Sequence, residues 1–224
     1  MSRHGWRPPA SCRPCRWSPD VMAGPALPIM LFDERKLTPS FGYVFNPKWL
    51  GPYESIVSIL WKLVRMNSLS GHMVAIQLAK AHIDPYERIA ACRSEVNIRG
   101  LHRALGLPLK ILRGSLAPDA LQKICSPHFR YCRKCLGRGY HGVIHQLNSV
   151  KCCPVHGETL SVECDHCGAR TPYRLNALLL DAPFRCSSCR NFYASHAPAI
   201  STRPLGKRAR RSLTRIRLTY SLYF

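Results

Sequence analysis

The chain is predicted to be α plus a small zinc-stabilised β fold: an N-terminal helical, helix-turn-helix-like domain followed by tandem zinc ribbons. Three observations carry that prediction. Apolar residues recur at helical spacing up to about residue 125. That periodicity then stops, and Gly, Pro and short β-favouring segments take over. Within the new region cysteines come in pairs, with nearly equal gaps between the pairs.

The first element is "GPYESIVSILWKLVRMNSLS", residues 51–70, where Ile56, Ile59, Leu60, Leu63 and Val64 form one apolar stripe. Pro52 suits a helix start, Glu54 complements the positive end of the helix dipole, and Asn67 with Ser68 suits an exit. "GHMVAIQLAKAH" predicts a second short helix with Val74, Leu78 and Ala81 on one face. "SEVNIRGLHRALG" predicts a third, with Leu101 and Leu105 inward and Arg99, His102 and Arg103 outward. Residues 115–124 are expected to form a fourth. Three short helices with turns between them fit a helix-turn-helix or a plain bundle.

The domain boundaries follow composition. Residues 1–30 are Pro- and Arg-rich without periodicity and are expected to be a disordered basic tail, or an upstream start extension before Met30. The "CRPC" pair, Cys12 and Cys15, stands alone and is read as incidental. The helical domain spans 31–125, the zinc-ribbon region 126–198, and a basic C-terminal tail 199–224. That tail shows no clear pattern; "RLTYSLYF" has the composition of a strand but no partner.

Charge bounds the partners. The 224 residues hold 33 Lys plus Arg against 12 Asp plus Glu, a net charge of +21. Nucleic acid or another polyanion is the partner that such a balance favours; the bland alternative is a basic surface with no ligand. Arg93, Arg99, Arg103, Lys110 and Arg113 form a basic run across the third helix and its exit. They read either as phosphate contacts or as a solvated helix face. No run of roughly 18 apolar residues exists, which argues against a membrane span. The N-terminal "VMAGPALPIMLF" is broken by Pro25, Pro28 and Gly24 and lacks a cleavage site, so secretion is not expected. With a cytoplasmic address, 12 cysteines point to metal rather than disulfides.

The cysteine spacing carries the chemistry. Cys132 and Cys135 form a CxxC, and after 17 intervening residues "CPVH" supplies Cys153 and His156. Cys164 and Cys167 form a second CxxC, and after 18 intervening residues come Cys186 and Cys189. Two chelating pairs about one hairpin apart are what tetrahedral Zn²⁺ needs, and the pattern occurs twice. Two structural zinc ions are therefore expected. Cys152 adjoins Cys153, but Pro154 and the two-residue gap to His156 favour Cys153. His141, His145 and His166 are alternative ligands, but the paired arms already fill four positions, so each is expected to support a ligand or lie on the surface; Cys92 and Cys125 are expected as buried small apolar residues or free thiols. Tyr140, His141, His145 and Gln146 are either partner contacts or the packing of a hairpin around its metal. Four protein ligands per ion leave no open coordination position, which argues against zinc catalysis. A redox CxxC needs a βαβ setting that is missing. No phosphate loop, HExxH, GxSxG or spaced acidic set occurs, so no enzyme is expected.

Several non-ligand residues extend these motifs. Glu54, Ser55 and Asn67 of the first helix, Tyr131 to Leu136, Tyr140 to Leu147, Cys153 to Gly157 and Cys164 to Gly168 together resemble the TniQ family of transposition proteins. The resemblance covers roughly residues 45–190. It departs at Arg133, where the family usually has Pro, and likewise at Asp165. It implies a short or truncated family member acting as a non-catalytic accessory factor. Such a factor recognises a target, either DNA or a guide-RNA effector complex. It recruits an AAA+ ATPase that engages the transposase of a mobile element, and some members pair as homodimers. The alternative is a zinc-ribbon DNA-binding transcriptional regulator unrelated to transposition.

Overall fold

Nine consecutive residues of the first helix, Ile56 to Val64, are buried on every side. A one-sided stripe does not require that; a helix threaded through the middle of the molecule does. The computed structural model describes residues 43–78, 84, 86–87, 89–200 and 205–219. The tail 1–30, the Cys12–Cys15 pair, Ala81 and residues 220–224 lie outside them.

In chain order the helices are α1 (Ile56–Asn67), α2 (Gly71–Leu78), α3 (Ile98–Leu105), α4 (Leu109–Gly114), α5 (Arg133–Gly137), α6 (Ala177–Leu180) and α7 (Lys207–Thr219). Tight 3-10 turns occupy Pro47–Trp49, Asp119–Ile124 and Val143–Gln146. β1 (Ile89–Ala90) pairs antiparallel with β2 (Arg174–Leu175), Ile89 opposite Leu175. The fold is thus helical with one small two-stranded sheet and two cysteine clusters that can bind metal.

Local chemistry explains the ends. Ser55 caps α1 by accepting the Ser58 N–H, and Ser68 closes it in the left-handed region, its N–H returning to Val64 O. Asn97 caps α3 through Gly100, and Gly106, φ 64°, ends it. Two expectations shift. The helix expected over 115–124 is instead α4, which ends at Gly114, and the 3-10 turn from Asp119; Pro118 between them cannot sit inside a helix. The tail expected to be patternless holds α7, seated by the fully buried Leu213 against the Val143–Gln146 turn.

Residues on both sides of the 125/126 boundary share one core. Trp61 of α1 packs against Phe129 (ring centroids 5.4 Å apart) and Phe184 (5.1 Å), and its indole N–H donates to Leu179 O at 2.8 Å. Tyr131, Tyr193 and Tyr173 extend that aromatic cluster. Gly71 opens α2 where α6 crosses: a Cβ there would lie 2.5 Å from Ala177 O and 2.6 Å from Asp181 N, so only glycine lets the backbones meet.

Candidate metal centres and basic surfaces

Three of the four cysteine arms are built by the same turn. Cys153, Cys164 and Cys186 each donate their N–H to the carbonyl five residues on (Glu158, Ala169, Asn191). Each accepts the N–H of the residue four on. That fourth residue is left-handed every time: Gly157 at φ 72°, Gly168 at 70° and Arg190 at 62°. A bridge flanks each turn, Cys152 to Thr159, Glu163 to Arg170 and Arg185 to Phe192. The remaining arm is helical: Cys132 precedes α5, accepts the Leu136 N–H at 3.0 Å, and places Cys135 one turn away.

These turns gather the eight residues into two tetrads, Cys132, Cys135, Cys153 with His156, and Cys164, Cys167, Cys186 with Cys189. The ligand atoms within each lie inside 4.8 Å of one another. In the first, His156 Nδ1 is 3.3 Å from Cys132 Sγ, 3.3 Å from Cys135 Sγ and 3.7 Å from Cys153 Sγ. Cys135 and Cys153 sulfurs are 3.6 Å apart. In the second, the Cys164–Cys189 and Cys167–Cys186 sulfur pairs are each 3.7 Å apart. Zn–S and Zn–N bonds of ~2.3 and ~2.0 Å at tetrahedral angles give edges of about 3.8 and 3.5 Å. A disulfide needs ~2.0 Å, and the cysteines are free thiols. The donor sets therefore fit Zn²⁺.

Crowding of the sulfurs splits their ionisation. Contacts with Cys132 and Cys135 hold the Cys153 thiol below its usual range, while Cys132, Cys153 and burial push the Cys135 thiol above it. A dication among them removes that conflict and favours all the thiolates. Cys152 is exposed and points to no tetrad, whereas its neighbour Cys153 is 1 % exposed.

The two buried histidines are not ligands. His145 Nδ1 accepts the Gly142 N–H, which leaves the ring proton on Nε2, 3.7 Å from Cys153 Sγ. It orients a ligand sulfur, the supporting place expected of a histidine once four ligand positions are filled. His141 Nε2 donates to Arg130 O at 2.8 Å, and its Nδ1 accepts from Ser55 Oγ at 2.6 Å. Burial, with His145 alongside, holds its pKa well below the usual histidine range, so the ring is neutral. A Ser–His pair at that distance has the geometry of a nucleophile and base. Both side chains are 0 % exposed, however, and no substrate reaches them. Tyr140 and Gln146 are buried as well, so all four residues of this hairpin pack inward. His166 is exposed, Cys92 buried, and Cys125 half-buried with its thiol pushed up to about 11 by desolvation.

Arg133 and Asp165, which follow the first cysteine of each CxxC, pair with each other at 2.6 Å and link the two sites. Both are solvent-exposed, so the pair contributes at most about 1 kcal/mol.

No family model matches the chain, and no curated protein matches it.

The basic residues divide between two settings. Arg99 and Arg103 are exposed on α3. Arg93, Lys110 and Arg113 instead rim an open groove of about 770 Å³, and Arg93 with Arg113 also borders a smaller depression beside Arg99. Arg93 Nε donates to Arg113 O at 3.1 Å. The expected basic tail forms a further cationic face as a helix: α7 carries six basic and no acidic residues in 13 positions. Lys207, Arg208, Arg210, Arg211 and Arg215 are exposed. The spacing of Ala209, Leu213 and Ile216 was the signal that could have found it.

Among the described residues no helix is long and apolar enough to cross a membrane.

Proposed function

We propose that the chain is a non-catalytic, cytoplasmic transposition accessory protein of TniQ type, with tandem zinc ribbons and two structural Zn²⁺ ions. On this reading it selects a DNA target and recruits an AAA+ ATPase and, through it, a transposase. The observation that carries it is the meeting of motifs that lie far apart in the sequence. Ser55 Oγ and His141 Nδ1, 86 residues apart, are 2.6 Å from each other. The Ser55 N–H donates to His141 O at 2.7 Å, and Val143 N–H to Tyr53 O at 3.0 Å. Glu54 pairs with Lys62 in the core, and Asn67 clamps Val44 through both its amide atoms. The start of the first helix and the 141–143 stretch, two of the segments that carry the resemblance, are thus joined by hydrogen bonds.

Two further features support the reading. Both tetrads are complete with four protein ligands, the arrangement of structural rather than catalytic zinc. α3 and α4 are joined by the short turn 106–108 and supply a helix-turn-helix-like unit, with Arg99 and Arg103 on its outer face. We assign DNA contact to these two arginines and to α7. The cations of α7 are fixed on a docked helix, so they offer the DNA backbone a defined row of charges.

Binding to a short duplex from 50 to 200 mM salt tests the DNA assignment. The expected plot of log affinity against log salt is steep. Arg208→Gln, Arg211→Gln and Arg215→Gln together reduce its slope by about 2.7, at ~0.9 per phosphate contact. A flat salt response, or an unchanged slope in the triple variant, overturns it. Co-purification of the tagged chain with a co-expressed AAA+ ATPase of a transposition system, in the presence of DNA and ATP, tests recruitment; absence of a complex refutes that half.

A further inference from the structure

The groove rimmed by Arg93, Lys110 and Arg113 has a lining that phosphate contact does not explain. Its lining is largely apolar: Leu50, Pro52 and Ile111 reach the surface, with the buried Ile59, Val143 and Ile144 packed behind them. Ile111 keeps 41 % of its surface exposed, between two cationic neighbours on α4. Its one acid, Glu54, is already engaged. The carboxylate binds Lys62 Nζ at 2.5 Å, accepts from Ser58 Oγ at 2.6 Å, and accepts the Gly51 N–H at 2.8 Å. The groove is therefore apolar inside and cationic at its edge.

We infer that this groove binds a short segment of a partner protein that carries apolar anchor side chains flanked by Asp or Glu. Apolar walls reward buried side chains, and a positive rim selects and orients acidic flanks. Its volume falls within the ~300–1,000 Å³ usual for binding pockets. Nucleic acid fits it poorly. The cations sit at the rim, while the interior is largely apolar and gives a phosphate backbone little to bind; a single strand needs aromatic faces to stack on, of which Tyr53 is the only one in the lining. The inference rests on the groove's own lining and stands whether or not the chain binds DNA.

A random twelve-residue peptide library, displayed on phage and selected against the full zinc-loaded chain, tests this. Selected peptides are expected to hold two or more large apolar residues among Asp and Glu. A fluorescein-labelled synthetic copy should bind the native chain and lose at least about tenfold in affinity with Ile111→Asp, as for an anchor contact. The same loss is expected with Lys110→Glu combined with Arg113→Glu. Leu178→Asp, at a site 50 % exposed on α6 and outside the groove, should leave binding unchanged. Each variant is checked for its bound metal and a native melt; Ile111→Ser replaces Ile111→Asp, Lys110→Gln with Arg113→Gln replaces the charge reversal, and Leu178→Ser replaces Leu178→Asp where one fails. No enrichment, enrichment without acidic residues, or unaltered binding by the Ile111 variant overturns the proposal. So does displacement of the peptide by duplex DNA, which would give the groove to nucleic acid. Loss of DNA binding alone, with peptide binding intact, would instead count against the DNA assignment.

Discussion

Cys152 and Cys153 are adjacent and chemically identical, yet replacing each by serine should have opposite outcomes. Cys153→Ser removes a sulfur that lies 3.6 Å from Cys135 Sγ and 3.7 Å from His156 Nδ1. A serine hydroxyl stays protonated at neutral pH and is a poor zinc ligand, so the first ion is lost. Structural zinc contributes on the order of 10 kcal/mol in fingers that are unfolded without it. Here that is an upper bound, because Trp61, Phe129 and Phe184 pack without help from the first tetrad. What depends on it directly is the small cluster of Cys132, Cys135, Tyr140, Cys153 and Leu160. The buried His145 N–H also loses its acceptor, at a cost of about 1–3 kcal/mol. The second tetrad shares no ligand with the first and should stay loaded. Elemental analysis is expected to give one zinc per Cys153→Ser chain, with a lowered unfolding midpoint in urea. Cys152→Ser should keep two, with stability within about 0.5 kcal/mol of the native chain. Two zincs in Cys153→Ser, or one in Cys152→Ser, would refute the ligand pairing.

Other perturbations give graded outcomes. Arg190→Gly should stabilise the chain by about 1 kcal/mol, because a left-handed non-glycine residue costs ~1–2 kcal/mol and glycine's extra entropy returns only part of that. Gly157→Ala and Gly168→Ala should destabilise by a similar amount in thermal melts, since a Cβ at either meets no neighbour and the cost is backbone strain alone. Gly71→Ala, whose Cβ would strike the backbone of α6, should cost about 1–3 kcal/mol in urea titrations. Lys62→Met strips the partner from a carboxyl that burial already holds above its ordinary value. The native state of the variant then keeps a proton that the unfolded chain releases, so its stability falls as pH rises above the usual carboxylate range. The loss, ~3–5 kcal/mol for a broken buried pair, should be larger at pH 8 than at pH 5 in urea melts; a pH-independent difference would refute it.

Legibility followed the strength of the local signal. α1 to α3 could be read because apolar spacing, caps and exits agreed, and the cysteine arms because a tetrahedral shell demands paired donors at short range. α4 was displaced because the fourth helix was placed over 115–124 across Pro118, where the proline marks a break. α7 was hidden by its composition, since an arginine-rich helix without acids lacks the ion pairs that signal a stable helix. A change of composition near residue 125 suggested two bodies, but composition cannot report that aromatic residues from both sides interlock around Trp61. The groove was equally invisible, because it joins side chains from residues 47 to 144 that share no motif.

The central position of α1 has a consequence for synthesis. Its indole N–H finds its acceptor, Leu179 O, 118 residues further along the chain. At 5–20 residues per second, translation leaves this apolar helix without its partners for about 6–24 s. During that interval its aliphatic surface is open to chaperones or to aggregation, and both metal sites are still being synthesised. The core around α1 therefore closes only after synthesis has passed Leu179, and truncation before that residue should leave the Trp61 side chain without its acceptor.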